Sequence, residues 1–329
     1  MTVRLIQPAA TPLAVSPGKD EDRPRLTCAF VNNMPDGAFD ASERQFLDLL
    51  DGAGTGVIEV RRYTMPRVPR GGAVAAKIAE QYSPTAAIRQ DPPDLLIVTG
   101  SNPVEPRLED EPYWDDMVNL LTWSSEHVPS MLLSCLSAHA ALTIFDGVER
   151  ERLPSKCTGV FPQLVDVTHP LGAGLEPEII LPHSRTSTVP QEALRQAGYQ
   201  IVIQSEGVGW SVAAREVARS NVILVQGHPE YDPSSLLREY HRDARRYVRH
   251  ERVDIPRLPL HCVAPGDWED LEKLHRAIIG DQRDPALLEA YPFDEVGARA
   301  TWPWHEVAKT LYTNWLVGIT KRSDRSDAR

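Results

Sequence analysis

Short apolar runs alternate along this chain with stretches of helical spacing, and each run breaks off at a small or polar residue. Residues 26–31 form a β-type run, residues 42–50 place Phe46, Leu49 and Leu50 on one helical face, and residues 56–63 return to extended character. The pattern recurs. Residues 94–100 close on Thr99-Gly100, residues 113–125 carry Trp114, Met117, Leu120 and Leu121 along one face, residues 131–135 close on Ser134-Cys135, and residues 138–145 suit a helix. Runs at 160–167, 200–204 and 221–226 and a polar helix over 234–249 follow. Strands alternating with helices predict an α/β fold with a largely parallel sheet and helices on both faces. Ligands bind beyond the carboxyl ends of such strands. Thr99-Gly100, Ser134-Cys135 and Gln226-Gly227-His228 are therefore expected to converge on one crevice.

The chain has 329 residues, and 35 Lys and Arg against 46 Asp and Glu give a formal charge of −11. A field of that sign repels phosphate backbones and anionic membranes, so small molecules rather than nucleic acid or membrane are the expected partners. No apolar stretch is long enough to span a bilayer, and the first residues lack the basic-then-apolar order of a signal peptide, which predicts a cytoplasmic protein. The four cysteines, Cys28, Cys135, Cys157 and Cys262, are dispersed without a Cys-x-x-Cys pair, so neither a disulfide framework nor a metal site is expected. Residues 1–24, with four prolines and a charged stretch, read as a loose, disordered arm; one domain spans 25–318, its Pro-rich piece 255–265 leading into a C-terminal extension (255–318); and the charged residues 319–329 read as a disordered tail.

Cys135 ends an apolar run just ahead of a helix, where unpaired backbone N–H groups and the helix dipole favour a thiolate. The N–H of Leu136 would face an oxyanion there, as in nucleophile elbows. Such elbows usually carry flanking glycines, whereas Ser134 and Ser137 stand here, and a buried small hydrophobe is the bland alternative. Gly227-His228-Pro229-Glu230 follows another run, and residues i and i+2 of extended chain point the same way, so a carboxylate could orient an imidazole that serves the thiol. Arg242, on the polar helix near Arg238, Glu239 and Asp243, and Lys156 are ordinary surface charges when read alone. Pro182-His183-Ser184-Arg185 reads as a short loop after the 179–181 run.

Taken together, these segments resemble the homoserine O-acyltransferase family of methionine biosynthesis (the homoserine O-succinyltransferase type), relatives of class I glutamine amidotransferases. The resemblance runs through Asn33-Met34-Pro35, Val98-Thr99-Gly100, Cys135 with Ala138, Leu153 to Lys156, Gly159-Val160-Phe161, Pro182-His183-Ser184-Arg185, Gly227-His228-Pro229-Glu230-Tyr231-Asp232 and Asn314-Trp315-Leu316. It implies a flavodoxin-like α/β sheet, an acyltransferase domain over 25–318, a homodimer, and acetyl-CoA or succinyl-CoA as co-substrate with no bound cofactor. It further implies Cys135 as nucleophile, His228 as general base held by Glu230, and Lys156, Ser184 and Arg242 in the pocket of the amino acid acceptor.

Three segments depart from the family pattern. The family elbow Cys-Trp-Gly-Ala-Gln is here Cys135-Leu136-Ser137-Ala138-His139, which adds a histidine that either faces the site or packs. Residues 34–43 replace the family's basic and Glu-Thr-Glu groups, which places different groups at the expected mouth. Acyl choice in the family follows a residue after the Thr-Gly strand end, Glu with acetyl and Gly with succinyl; here that position falls on Val104 or Glu105, leaving the donor open, and Arg107 is a nearby cation for an anionic acyl chain. Homoserine is the implied acceptor. A related hydroxy amino acid such as serine, a glutamine amidotransferase-like amidase, and a non-catalytic amino acid sensor are the alternatives.

Overall fold

The computed structural model describes residues 2–8, 26–54, 56–280 and 283–327, the last seven of them as helical backbone. In chain order the elements are β1 (Thr2–Ile6), β2 (Leu26–Val31), α1 (Asp36–Gly52), β3 (Val57–Thr64), α2 (Gly72–Gln81), β4 (Ser83–Pro84), β5 (Leu95–Val98), α3 (Trp114–His127), β6 (Ser130–Ser134) and α4 (Leu136–Asp146). There follow β7 (Glu151–Val165), β8 (Glu178–Thr188), α5 (Gln191–Gln196), β9 (Gln200–Ser205), β10 (Gly209–Val217), β11 (Ser220–Val225), α6 (Ser235–Val248), α7 (Pro265–Ile279), α8 (Pro285–Ala290), α9 (Phe293–Arg299) and α10 (Trp304–Asp327).

One mixed sheet organises the chain in the order β1-β3-β2-β5-β6-β11-β10-β9-β7-β8, with β4 paired to β3. From β1 through β11 the neighbours run parallel, and from β11 onward they run antiparallel. The parallel half fits the expectation, with apolar residues pointing to both faces because both are covered. Phe30 packs with Phe46, Leu50 and Trp315 on one face, while its neighbours Ala29 and Val31 join Met117, Leu121 and Leu133 on the other. A third cluster, Tyr240, Tyr247, Leu271, Leu288 and Phe293, joins α6 to α7, α8 and α9. The Pro-rich connection is laced to β7 where Leu260 accepts from Val160 and donates to Thr158. Gly159 permits this approach: its φ is +146°, and a side chain there would begin 2.6 Å from the Leu260 carbonyl.

Both expected loose ends carry structure. Thr2–Ile6 pairs in parallel with β3 at the sheet edge, because Val3, Leu5 and Ile6 suit a strand and the open β3 edge supplies partners; residues 9–25 of the expected arm lie outside the described residues. At the other end α10 runs through Asp327, since Ile319 is still buried against the core and neither Gly nor Pro follows to stop the helix. Residues 328–329 lie outside the described part. Among the described residues no helix is long and apolar enough to cross a membrane.

Candidate active site

Strand β6 delivers Cys135 to a turn that only a tight strand-to-helix junction makes: φ is 53° and ψ −108°, a conformation that costs a non-glycine residue energy. The Cys135 N–H donates to the Val225 carbonyl (2.7 Å), fixing the junction to β11. Of the two serines that stand where glycines usually flank such an elbow, Ser137 is used as a pin. Ser137 Oγ donates to the carbonyls of Val98 (2.8 Å) and Ser134 (2.9 Å), tying α4 to β5 and β6. Gly100, at the end of β5, passes so near that an added Cβ would sit 3.3 Å from Cys135 Cβ and 3.6 Å from the Leu136 nitrogen.

His228 follows β11, and its N–H donates to the Pro182 carbonyl (2.8 Å). Its Nδ1 lies 2.8 Å from Glu230 Oε1 with both side chains buried. The buried Nε2 has no other hydrogen-bond partner among the described residues and is the atom left for the Cys135 thiol. Burial opposes charge on the ring, but Glu230, reinforced by Cys135, holds the imidazolium well above the ordinary histidine range. Tyr231 stacks on the imidazole at 4.2 Å, fixing the ring plane.

Cys135 and His228 open into a cavity of about 550 Å³, lined also by Leu136, Lys156, Ser184, Arg242, Val104 and Glu105. All the expected site residues except Glu230, which stands behind His228, therefore share one space. One segment stands on a different element than expected. Pro182-His183-Ser184-Arg185 belongs to strand β8 rather than to a loop, and Lys156 stands on β7, because these two pair as a long antiparallel ribbon. Beyond Met34 and Pro35, the altered segment 34–43 turns away from the cavity. Asp36 accepts from the Gly71 N–H, and Glu43 is buried against Arg62, Lys77 and Tyr82. His139 lines the cavity, but its Nε2 bonds Gln226 (2.9 Å) and burial lowers its pKa to about 4, so it is a neutral wall.

The wall opposite the thiol is a charge network. Lys156 Nζ reaches Glu239 (2.8 Å) and Asp243 (3.2 Å); Ser184 donates to Glu239, as does Tyr231 (2.6 Å). Asp243 also takes Arg242 and Arg252. Burial would raise Glu239, yet Lys156 and Arg242 bring it to about 2, so it is ionised. From the sequence Glu239 and Asp243 read as solvated charges, Tyr231 and Arg185 enter only as members of motifs, and nothing singles out Arg150, Arg152, Arg246 and Arg252. The signal in part existed, since residues 239, 242, 243 and 246 share one face of α6 at helical spacing. In all, seven basic and three acidic side chains line the cavity, against a chain charge of −11.

A family model described as homoserine O-succinyltransferase matches residues 5–323. The chain belongs to the homoserine O-succinyltransferase family. A homoserine O-succinyltransferase of Rhodopseudomonas palustris is 36% identical over 305 residues, 92% of this chain and 91% of that protein. One of Methylorubrum extorquens is 37% identical over 298 residues, covering 91% and 88%. Among solved structures, a glutamine amido transferase from Methylobacillus flagellatus aligns at TM-score 0.46 and 15% identity over 90% of this chain and 96% of that one. Members of this acyltransferase family use an acyl-CoA co-substrate. The three other thiols of this member are all shifted upward by burial: Cys28 most strongly, with Asp94 adding to it, Cys157 less so, and Cys262 to about 12.

Proposed function

We propose that this chain transfers the succinyl group of succinyl-CoA to the hydroxyl of L-homoserine through an acyl-enzyme on Cys135, a step of methionine biosynthesis. The observation that carries the chemistry is the orientation of His228, with Nδ1 anchored on Glu230 and a buried Nε2 left for the thiol. In the first half, Cys135 sulfur attacks the thioester carbonyl with the proton already on His228, as the imidazolium that Glu230 supports. The new carbon–sulfur bond forms as the coenzyme's own breaks, and the proton leaves with the coenzyme A thiol. The Leu136 N–H at the start of α4 faces the oxyanion, where the helix dipole adds to it. In the second half, neutral His228 takes the acceptor hydroxyl proton, the oxygen bonds to the acyl carbon as the carbon–sulfur bond to Cys135 breaks, and the freed sulfur and protonated His228 return to their starting pair.

The charge network suits an amino acid zwitterion. Arg242 spends Nε and one Nη on Asp243, leaving its other Nη for the acceptor carboxylate, while Glu239 and Asp243 offer anionic faces to its ammonium. Lys156 and Ser184 hold Glu239 in place from the strand side. The excess of cations suits the phosphates of coenzyme A with either acyl group, and it is membership of the homoserine O-succinyltransferase family that supports succinyl over acetyl. The same reading carries a cytoplasmic homodimer, tested by sedimentation. Steady-state kinetics test the transfer itself. Parallel double-reciprocal lines for succinyl-CoA and homoserine, and a burst of coenzyme A near one equivalent without acceptor, are expected. Turnover only when both substrates are bound, with no burst, overturns the acyl-enzyme; a better rate with serine overturns the acceptor.

A further inference from the structure

The acyl end of the donor must lie beyond Cys135, where the loop after Gly100 forms the cavity wall. That loop is held by Glu111, whose Oε1 accepts from the N–H groups of Val104 (2.7 Å) and Glu105 (2.8 Å), so both residues line the cavity with a fixed backbone. Arg150, between α4 and β7, lies against the same loop. One of its Nη groups makes long contacts to the carbonyls of Glu105 (3.5 Å) and Pro106 (3.3 Å), and its remaining N–H groups have no protein acceptor among the described residues.

The other cations near the thiol are engaged, exposed or outside the cavity. Lys156, Arg242 and Arg252 are paired with Glu239 and Asp243. Arg185 is buried, with both Nη groups on the carbonyls of Ser187 and Val208 and only its enclosed Nε unpartnered among the described residues. Arg152 and Arg246 are exposed, and Arg107, the cation that sequence proximity suggested, pairs with Glu109 outside the cavity. Arg150 is half-buried, unpaired with any carboxylate among the described residues, and within electrostatic range of Cys135. A guanidinium set against the loop that Glu111 ties, partly withdrawn from water and with donors to spare, is suited to a planar carboxylate.

We propose that Arg150 is a specificity-determining residue that binds the distal carboxylate of a dicarboxylic acyl donor while its thioester lies against Cys135. The proposal rests on the acyltransferase reading above and adds the group that tells a charged acyl chain from a neutral one. Succinyl-CoA and butyryl-CoA make the test, because they match in chain length and differ in a terminal carboxylate against a methyl group. Acylation of Cys135 is followed by coenzyme A release in single turnover. The native chain is expected to prefer succinyl-CoA, and Arg150→Met to lower the succinyl-to-butyryl ratio of kcat/KM about 30- to 100-fold, mostly through KM, with Arg150→Lys recovering part of it. An unchanged ratio in Arg150→Met, or a parallel fall with both donors, overturns the assignment while leaving the acyl-enzyme intact. Failure of the native chain to be acylated by either donor overturns the acyltransferase reading as well.

Discussion

The backbone of Cys135 allows the cost of the elbow to be measured separately from its chemistry. At φ 53° and ψ −108° the residue occupies a region that glycine enters freely and other residues enter at about 1–3 kcal/mol. Replacing Cys135 by Ala keeps that cost; replacing it by Gly removes it. Both variants lose the thiol and its contact with His228, so their difference isolates the backbone. Glycine gives back about 0.4–1 kcal/mol through the larger entropy of its unfolded chain. On the central values about 1.3 kcal/mol in favour of Cys135→Gly remains, which for a chain of this size raises Tm by about 2 °C. Urea unfolding followed by circular dichroism gives the same comparison as a higher midpoint at an unchanged slope. Cys135→Gly equal to or less stable than Cys135→Ala would refute the claim that the elbow is strained, and with it the view that stability has been given up there for placement of the sulfur.

Glu230→Gln removes the carboxylate that keeps His228 charged, so the imidazole, read by NMR in a Cys135→Ser background, should lose its proton at least one pH unit lower, with acylation slowed about 100-fold or more; an unmoved titration removes Glu230 from its orienting role. Glu239, held at about 2, contributes stability that is fully present above the ordinary glutamate pKa and is lost as pH falls toward 2. Glu239→Gln should therefore cost about 3 kcal/mol at neutral pH and flatten the decline of Tm between about pH 5 and 3; an unaltered acid limb contradicts this. Arg242→Ala should raise the KM for homoserine about 10- to 100-fold while the coenzyme A burst persists, and an unchanged acceptor dependence takes Arg242 out of the pocket.

Much of the site was legible in the chain because its parts obey local rules. Cys135 and His228 each sit where an apolar run breaks, and in a parallel sheet such breaks gather on one edge. The rule for extended chain pairs Glu230 with His228, but Pro229 and Glu230 form a turn, closed by the Tyr231 N–H on the His228 carbonyl, and it is this turn that brings the two side chains together. What the sequence did not reveal depends on partners far away. The ribbon of β7 and β8, which carries Lys156 and Ser184, is set by pairing between strands whose own composition is mixed and half-exposed. Glu239 and Asp243 look like solvent charges until Lys156, 83 residues distant from Glu239, is seen beneath them. Arg107 and Arg150 are equally basic in the sequence, and only the path of the loop tied by Glu111 sends one outward to Glu109 and leaves the other lining the cavity that Cys135 opens into.

The central claim is that Cys135 carries the acyl group between donor and acceptor. Intact mass spectrometry after brief exposure to succinyl-CoA without acceptor tests it most directly, with Cys135→Ala as the control and homoserine added in a second step. A gain of one succinyl group on the native chain alone, discharged when homoserine is added, is the expected result. A native chain whose Cys135 alkylates normally but takes no succinyl group, or an adduct that persists in Cys135→Ala, would contradict it.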